Sequence, residues 1–172
     1  MEYAIIFFPL VGSIVGYLGS SLTKYFSEIT TSLLVSISAV LSIMLFWNGI
    51  QNNTYGNYKI FEWISSGDFV ANWSINIDPL SSIMLVVVTF VSAIVHIYSV
   101  GYMSHDPHKP RFMSYLSLFT FSMLVLVVSD NFLQLFFGWE GVGLCSYLLI
   151  GFWYKKESAN NAAIKAFIVN RV

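Results

Sequence analysis

Glu140 is the residue whose type and position point most directly to chemistry. It is the only Asp, Glu, Lys or Arg between Asn131 and Tyr154, in an otherwise apolar run. If this run crosses a membrane as a helix, helical rise places Glu140 about 15 Å deep. An ionisable group at that depth is costly unless it is paired, hydrated or protonated, and such groups commonly mark a route for ions or protons. Our hypothesis is reversible protonation of Glu140; the alternative is a neutral acid that only joins helices by hydrogen bonds.

Two basic residues, Lys165 and Arg171, lie in the next apolar segment. If that segment returns antiparallel from a turn near residues 156–158, Glu140 lies about 24 Å and Arg171 about 21 Å from the turn. Lys165 lies roughly 9 Å nearer to it. We therefore expect Arg171 at the depth of Glu140 and Lys165 as an intermediate position, both modulating the proton affinity of the carboxylate. The alternatives are that Lys165 extends to the membrane surface and that Arg171 pairs elsewhere.

His96 is a further candidate for a proton pathway, because histidine titrates near neutral pH. The alternative is a buried histidine near the membrane interface with satisfied hydrogen bonds. His105 and His108 have a metal-ligand spacing, but Pro107 and Pro110 disrupt a helix there and no further ligand is evident. We therefore predict a solvated loop and no metal site.

The sequence predicts no catalytic centre and no cofactor bound by this chain. Cys145 is the single cysteine, so it has no partner for a disulfide within the chain. No phosphate-binding loop, haem-binding pair or nucleophile constellation is evident. Any proton chemistry would therefore depend on side chains within the apolar segments.

The composition predicts that membrane-spanning helices position these side chains. Only 17 of the 172 residues are Asp, Glu, Lys or Arg, and 56% are hydrophobic, whereas about a quarter of a soluble domain is charged. Charge-free intervals of 18 or more residues predict transmembrane helices; they are 3–23, 29–58, 79–105 and 112–129. This excludes a soluble enzyme domain. The net charge of -1 excludes nucleic-acid binding, which needs a basic surface.

We predict an all-α polytopic membrane protein with about five complete transmembrane helices and the start of a sixth. The expected bounds are 3–22, 29–50, 79–101, 112–129 and 131–154, with 159–172 entering the membrane again. Between the second and third helices, aromatic and β-branched residues flank Ser65–Asp68 and predict a β-hairpin. It must lie outside the hydrocarbon, because open strand edges are unsatisfied in lipid. We expect two parts, residues 1–78 with the hairpin and residues 79–172 with the later helices.

The distribution of lysine and arginine predicts the orientation. One side would hold five basic residues and the opposite side one, Lys59; the five are Lys24, Lys109, Arg111, Lys155 and Lys156. Basic loops remain on the cytoplasmic or matrix side. The N-terminus and the hairpin are therefore expected on the other side.

The run from Ser129 to Trp153, with Gly-Trp-Glu-Gly-Val-Gly-Leu-Cys-Ser at its centre, resembles the fifth helix of one family. The family is that of the largest antiporter-like membrane subunits of respiratory complex I, called subunit L or chain 5. Shorter matches extend the resemblance over essentially the whole chain; they are Asp78–Ser82, Tyr98–Met103, Arg111–Tyr115 and Ala166–Val172. The related A-type component of sodium/proton antiporters and membrane-bound hydrogenase subunits share the Trp-Glu core but usually diverge around it.

The resemblance implies a longer subunit built on two inverted repeats. In that family the glutamate that matches Glu140 pairs with a lysine on a later, broken helix, and proton movement is coupled to quinone reduction elsewhere in the complex. Arg171 matches a basic residue of the family's sixth helix. NADH, FMN, iron–sulfur clusters and quinone are expected in partner subunits, with none bound here.

We therefore expect an N-terminal portion of a proton-translocating subunit of NADH:quinone oxidoreductase, which would not translocate protons alone. Its partners would be other membrane-arm subunits, the lipid bilayer and protons, with no nucleic acid. We expect the bacterial inner membrane, with the mitochondrial inner membrane as the other location. The alternatives are the A-type component of a multisubunit sodium/proton antiporter and a non-transporting structural membrane fragment.

Overall fold

The computed structural model of the protein describes residues 1–21, 25–52, 55–67 and 69–171. The described part contains six helices and one two-stranded antiparallel sheet. The helices are α1 Glu2–Leu18, α2 Phe26–Asn52, α3 Pro79–Tyr102, α4 Lys109–Val127, α5 Phe132–Ile150 and α6 Glu157–Val169, and the strands are β1 Gly56–Ser66 and β2 Phe69–Ile77. This confirms the predicted helical class with a hairpin between the second and third helices. Lys24, Asp68 and Val172 lie outside the described residues.

Four of the described helices, α2 to α5, are long and apolar enough to cross a membrane. Helix α1, predicted as a further complete span, is apolar but 17 residues long. It ends at Leu18 rather than at residue 22, and Gly19–Ser21 form a 3-10 turn because glycine and serine are weaker helix formers than leucine. Helix α4 begins at Lys109 rather than at residue 112, since Pro110 is tolerated in a first helical turn.

The connection between α5 and α6 also differs from the prediction. Helix α5 ends at Ile150 rather than at residue 154, and Gly151 is its C-terminal cap. Helix α6 begins at Glu157, within the predicted turn at 155–158, so the connection covers residues 151–156. Glu140 remains central, eight residues after the first residue of α5 and ten before its last.

Two polar side chains cap the N-termini of α3 and α5. Asp78 caps α3, where its Oδ1 accepts from the Ser81 N–H at 2.6 Å and the Ser81 hydroxyl accepts from the Asp78 N–H at 2.8 Å. This reciprocal arrangement satisfies two free backbone donors. The Ser81 N–H lowers the pKa of the Asp78 carboxyl below its usual value. Asn131 caps α5 by accepting from the Gln134 N–H at 2.9 Å.

The hairpin is fastened to the adjoining ends of the helices. Gln134 on α5 is buried, and its side chain pairs with the main chain of Ser74, accepting from its N–H at 3.1 Å and donating to its carbonyl at 2.7 Å. The Asn76 N–H donates to the carbonyl of Val128 at 2.9 Å. The buried apolar cluster beneath the hairpin combines strand and helix residues; they are Ile5, Ile6, Leu45, Ile75, Ile77, Leu85, Leu124, Val125 and Val128.

The opposite end of the helices carries Lys109, Arg111, Lys155 and Lys156, and we call it the basic end. Lys109 Nζ donates to Glu28 Oε1 at 2.7 Å, joining the starts of α4 and α2. Arg111 donates to the carbonyl of Phe152, beyond the end of α5. Helix α4 packs against α1, α2, α3 and α5, while α6 packs against α5.

Candidate functional site

Glu140 and Arg171 form an ion pair between α5 and the residues that follow α6. Arg171 Nη2 donates to Glu140 Oε2 at 2.5 Å, although the two residues are 31 positions apart. The side chain of Glu140 is 26% exposed and that of Arg171 is 50% exposed. The structure therefore brings together the two groups that helical rise placed at a common depth.

Arg171 and the preceding Asn170 make further contacts with α5 and α6. Trp139 Nε1 donates to the main-chain carbonyl of Asn170 at 3.1 Å. The guanidinium carbon of Arg171 lies 4.1 Å from the centre of the Phe167 ring, a distance suited to a cation–π interaction. The Asn170 side chain occupies the space that a side chain at Gly143 would need. The contact of Trp139 was not predicted from the sequence, where this residue stands in the Gly-Trp-Glu motif.

Glycines next to Glu140 bring α5 close to its neighbours. A Cβ atom at Gly138 would lie 2.7 Å from the main-chain nitrogen and Cα of Leu126 on α4. A Cβ atom at Gly141 would lie 2.8 Å from the hydroxyl of Ser122. These glycines therefore set the distance between α4 and α5 at the depth of the ion pair.

Lys165 lies on α6 but does not join the Glu140–Arg171 pair. Lys165 is exposed, and it forms no ion pair with any residue in the described ranges. It lies six residues before Arg171, which is about 9 Å nearer the basic end by helical rise.

His96 is buried in α3 and belongs to a different polar cluster. Its Nδ1 lies 2.8 Å from the main-chain carbonyl of Ser92, and the Ser92 hydroxyl lies 2.5 Å from that of Thr120 on α4. Among the residues that the structure describes, its Nε2 has no hydrogen-bond partner. His96 makes no described hydrogen bond to Glu140, Lys165 or Arg171, so the structure separates it from the ion pair.

A buried ion pair between Glu28 and Lys109 was not predicted from the sequence. The side chain of Glu28 is 5% exposed and that of Lys109 is 11% exposed. Glu28 stands immediately before the predicted span 29–50, and no partner was predicted for it. Pairing with Lys109 is a long-range contact, across 81 positions, for which no local pattern is diagnostic.

The described residues contain no cluster of three or more His, Cys, Asp or Glu side chains that could hold a metal ion. His105 and His108 lie in the connection between α3 and α4. There Asp106 accepts from the His108 N–H and from the Trp153 indole. Although partial burial acts in the opposite direction, these hydrogen bonds lower the pKa of Asp106.

Comparison with protein families gives two matches. Residues 63–113 match the family described as NADH-ubiquinone oxidoreductase (complex I), chain 5 N-terminus. Residues 129–172, which include Glu140 and Arg171, match the family described as NADH:quinone oxidoreductase/Mrp antiporter, transmembrane.

Curated relatives agree with these matches. NADH-quinone oxidoreductase subunit L of Rickettsia conorii is 57% identical over 97% of this chain and 26% of its own length. NADH-ubiquinone oxidoreductase chain 5 of Arabidopsis thaliana is 53% identical over 100% of this chain and 26% of its own length. The chain thus spans about a quarter of the length of these relatives. Taken with the two family matches, these identities show that the chain belongs to the subunit L/chain 5 family of complex I membrane subunits.

Proposed function

We propose that this chain corresponds to the N-terminal part of a proton-translocating subunit of NADH:quinone oxidoreductase, with Glu140 as a proton-carrying carboxylate. The observation that carries the proposal is the 2.5 Å contact between Glu140 and Arg171. Glu140 lies in the apolar helix α5, and Arg171 follows the end of α6. Ionisable groups in such a setting are retained mainly where they serve ion or proton movement.

The ion pair links protonation to the position of Arg171. Arginine keeps its charge at any physiological pH, so the proton of this pair can be exchanged only on Glu140. Protonation removes the negative charge that holds the guanidinium, and loss of the proton restores it. Arg171 is half exposed and follows the end of α6, so its side chain has room to move when the carboxylate is neutral.

Lys165 and His96 are proposed to extend the proton pathway. Lys165 is exposed on α6, nearer to the basic end than Arg171. The buried Nε2 of His96 has no partner among the described residues, and an unpaired buried nitrogen favours a water molecule as partner. A proton relay through His96 would need such a water molecule to exchange a proton with the imidazole.

The setting of the proposal is an inner membrane. The relatives are oxidoreductase subunits of Rickettsia conorii and Arabidopsis thaliana, which supports a multi-pass protein of the bacterial or mitochondrial inner membrane. The basic end would face the cytoplasm or matrix, and the N-terminus the opposite side. Other membrane-arm subunits would be its partners. NADH, FMN, iron–sulfur clusters and quinone would belong to partner subunits.

A second candidate is a component of a sodium/proton antiporter. The family match over residues 129–172 carries the name of the Mrp antiporters as well as that of the oxidoreductase. Proton exchange on Glu140 serves both functions. They differ in the driving force, which is quinone reduction in one case and an ion gradient in the other.

The test is Glu140→Gln in the full-length subunit within the assembled complex, with proton uptake and NADH:quinone activity measured in inverted vesicles. Gln cannot bind the proton, so we expect redox-driven uptake to fall roughly tenfold or more. The control is Glu157→Gln, which removes an exposed carboxylate at the start of α6. Normal uptake by the assembled Glu140→Gln complex would refute the proposal. Uptake driven by a sodium gradient without NADH would favour the antiporter.

A further inference from the structure

Three polar atoms on α2, α3 and α4 are buried and have no hydrogen-bond partner among the residues that the structure describes. They are Ser32 Oγ on α2, His96 Nε2 on α3 and Ser114 Oγ on α4. The side chain of His96 is fully buried, and Ser114 is 3% exposed. Buried polar atoms in proteins are nearly always hydrogen-bonded, either to protein or to ordered water. Each of the three atoms therefore needs a partner that the surrounding helices do not supply.

The contact between α3 and α4 places His96 and Ser114 at a similar depth. The hydroxyls of Ser92 and Thr120 are hydrogen-bonded to each other, which fixes the register of the two antiparallel helices. Counted from this contact at 1.5 Å per residue, His96 lies about 6 Å and Ser114 about 9 Å nearer to the basic end. The two residues thus differ in depth by only about 3 Å.

The contact between α2 and α3 gives the depth of Ser32 in the same way. The hydroxyls of Ser42 and Thr89 lie 2.7 Å apart. From this contact, His96 lies about 10 Å and Ser32 about 15 Å nearer to the basic end. Ser32, His96 and Ser114 therefore lie within about one helical turn of one another along the helices.

The hydrogen bonds of His96 determine which kind of partner Nε2 needs. Its Nδ1 lies 2.8 Å from the carbonyl oxygen of Ser92. A carbonyl can only accept, so Nδ1 carries the hydrogen, and in the neutral imidazole Nε2 is an acceptor. Within the described residues no donor lies within hydrogen-bond distance of Nε2. Water can donate to Nε2 and can also bond to serine hydroxyls, which both donate and accept.

A cavity of about 400 Å³ opens between α2 and α3 at this depth. Its polar lining residues include Glu28, near the basic end, and Ser32, one helical turn deeper. On α3 it is lined by Ile97, the residue that follows His96, and by Val100. A water molecule needs only about 10 to 15 Å³ of such volume and two or more polar partners. The cavity therefore has the room for water beside the three atoms.

We propose that Ser32, His96 and Ser114 form a water-binding site and that the cavity connects this site to the basic end. Water donates to Nε2 of His96 and forms hydrogen bonds with the two serine hydroxyls. The site involves α2, α3 and α4, whereas the Glu140–Arg171 pair joins α5 to the residues after α6.

The water site itself does not depend on proton exchange at Glu140. Only its use in proton transfer rests on the proposed function. In that use, a hydronium ion gives its proton to Nε2 and becomes water, and the imidazolium later returns the proton to water. No other bond changes. His96 then exchanges protons with the basic end without passing them through Glu140.

The experiment is X-ray hydroxyl-radical footprinting of the assembled complex, which oxidises buried side chains where water is bound beside them. Oxidation of each side chain is followed by peptide mass spectrometry. His108, which is exposed, is the reference for a hydrated histidine. Leu124, which is fully buried in the apolar cluster beneath the hairpin, is the reference for a dry site. We expect oxidation of His96 at a rate much nearer to that of His108 than to that of Leu124.

Ser32→Leu should lower the oxidation rate of His96 by roughly fivefold or more, because the added side chain takes the room for water. Ser114→Ala removes one hydrogen-bond partner and should give a smaller decrease. The rate at His108 should stay unchanged in both variants, which also shows that the connection between α3 and α4 is intact. Ser146→Ala is the matched control, because this hydroxyl on α5 already donates to a carbonyl of its own helix.

Two results would overturn the inference. One is oxidation of His96 as slow as that of Leu124 in the unaltered complex, which would show that the site is dry. The other is an oxidation rate at His96 that both Ser32→Leu and Ser114→Ala leave unchanged. Failure of the proposed function gives a different result: if Glu140→Gln pumps normally while His96 is oxidised as expected, the water site stands and proton exchange at Glu140 does not.

Discussion

The indole N–H of Trp139 donates to the main-chain carbonyl of Asn170, so sequence neighbours of both Glu140 and Arg171 form a second bridge beside the ion pair. The two bridges differ in kind. The ion pair responds to protonation, whereas the indole–carbonyl bond does not. In the proposed proton exchange, this bond would keep the end of α6 in place when Glu140 and Arg171 change their contact.

Trp139→Phe should slow proton uptake by the complex while leaving its assembly intact. The substitution keeps an aromatic ring but removes the donor to Asn170, a loss of about 1 kcal/mol for a hydrogen bond. We expect a several-fold lower ratio of protons taken up to NADH oxidised and a changed pH profile of uptake. Trp47→Phe is the control, because Trp47 is 62% exposed on α2. An unaltered ratio and pH profile would show that the indole has no positioning role.

Gly138→Ala should destabilise the packing of α5 on α4. The added Cβ would lie 2.7 Å from the main chain of Leu126, so one helix must move away. Overpacking of this kind costs about 1 to 3 kcal/mol. Thermal unfolding of the purified complex, followed for this subunit, measures the effect. Gly101→Ala is the matched control, since a Cβ there meets nothing within 4 Å, and equal stability of the two variants would contradict the prediction.

Glu28→Gln should destabilise the basic end strongly. It leaves the mostly buried Lys109 without its partner, and breaking a buried ion pair in this way costs about 3 to 5 kcal/mol. The double variant Glu28→Gln with Lys109→Met removes the unpaired charge and should recover part of the loss. Glu62→Gln is the control, because its pair with Lys59 is exposed and its loss should leave the unfolding temperature unchanged. A loss no larger than that of Glu62→Gln would show that the buried pair is not stabilising.

Asp78 should contribute a pH-dependent part of the stability. Its pKa is lowered in the folded protein, chiefly by the Ser81 N–H, so its contribution is complete above the ordinary value of about 3.9. The contribution is lost as the pH falls from there through the lowered folded pKa. Asp78→Asn keeps a capping oxygen but cannot titrate.

Thermal unfolding of the two proteins between pH 7 and pH 3 tests this. We expect the wild-type protein to lose more stability than Asp78→Asn below about pH 4. Asp106, whose pKa is also lowered, is present in both proteins and cancels in the comparison. Parallel curves would contradict the role of Asp78.

The sequence was sufficient for features that depend on local patterns. The helical spans follow from charge-free apolar runs, and the start of α3 follows from Asp78 and Pro79. Gly67, with φ +58°, stands in the predicted hairpin turn, where left-handed backbone favours glycine. Helix ends were less predictable, because Gly151 ends α5 while apolar residues continue beyond it.

Long-range contacts were predictable only in part. Helical rise gave the depths of Glu140 and Arg171, but their contact also requires the right rotation of α5 and α6. The contacts of Glu28 with Lys109 and of Trp139 with Asn170 join residues 81 and 31 positions apart. No periodicity of either segment specifies such a pair, so these contacts emerge only from the packed helices.

The attachment of the hairpin to Gln134 has a consequence for the order in which the chain is built. Ser74 gains both of its main-chain hydrogen bonds to Gln134 from a residue made 60 positions later. During synthesis the hairpin therefore emerges before the helix that completes it. Before α5 is made, Ile75 and Ile77 can already pack against residues such as Ile5 and Leu45, but the main chain of Ser74 still lacks its partner Gln134. The hairpin is therefore fully attached only after the helix that bears Glu140 has packed against it.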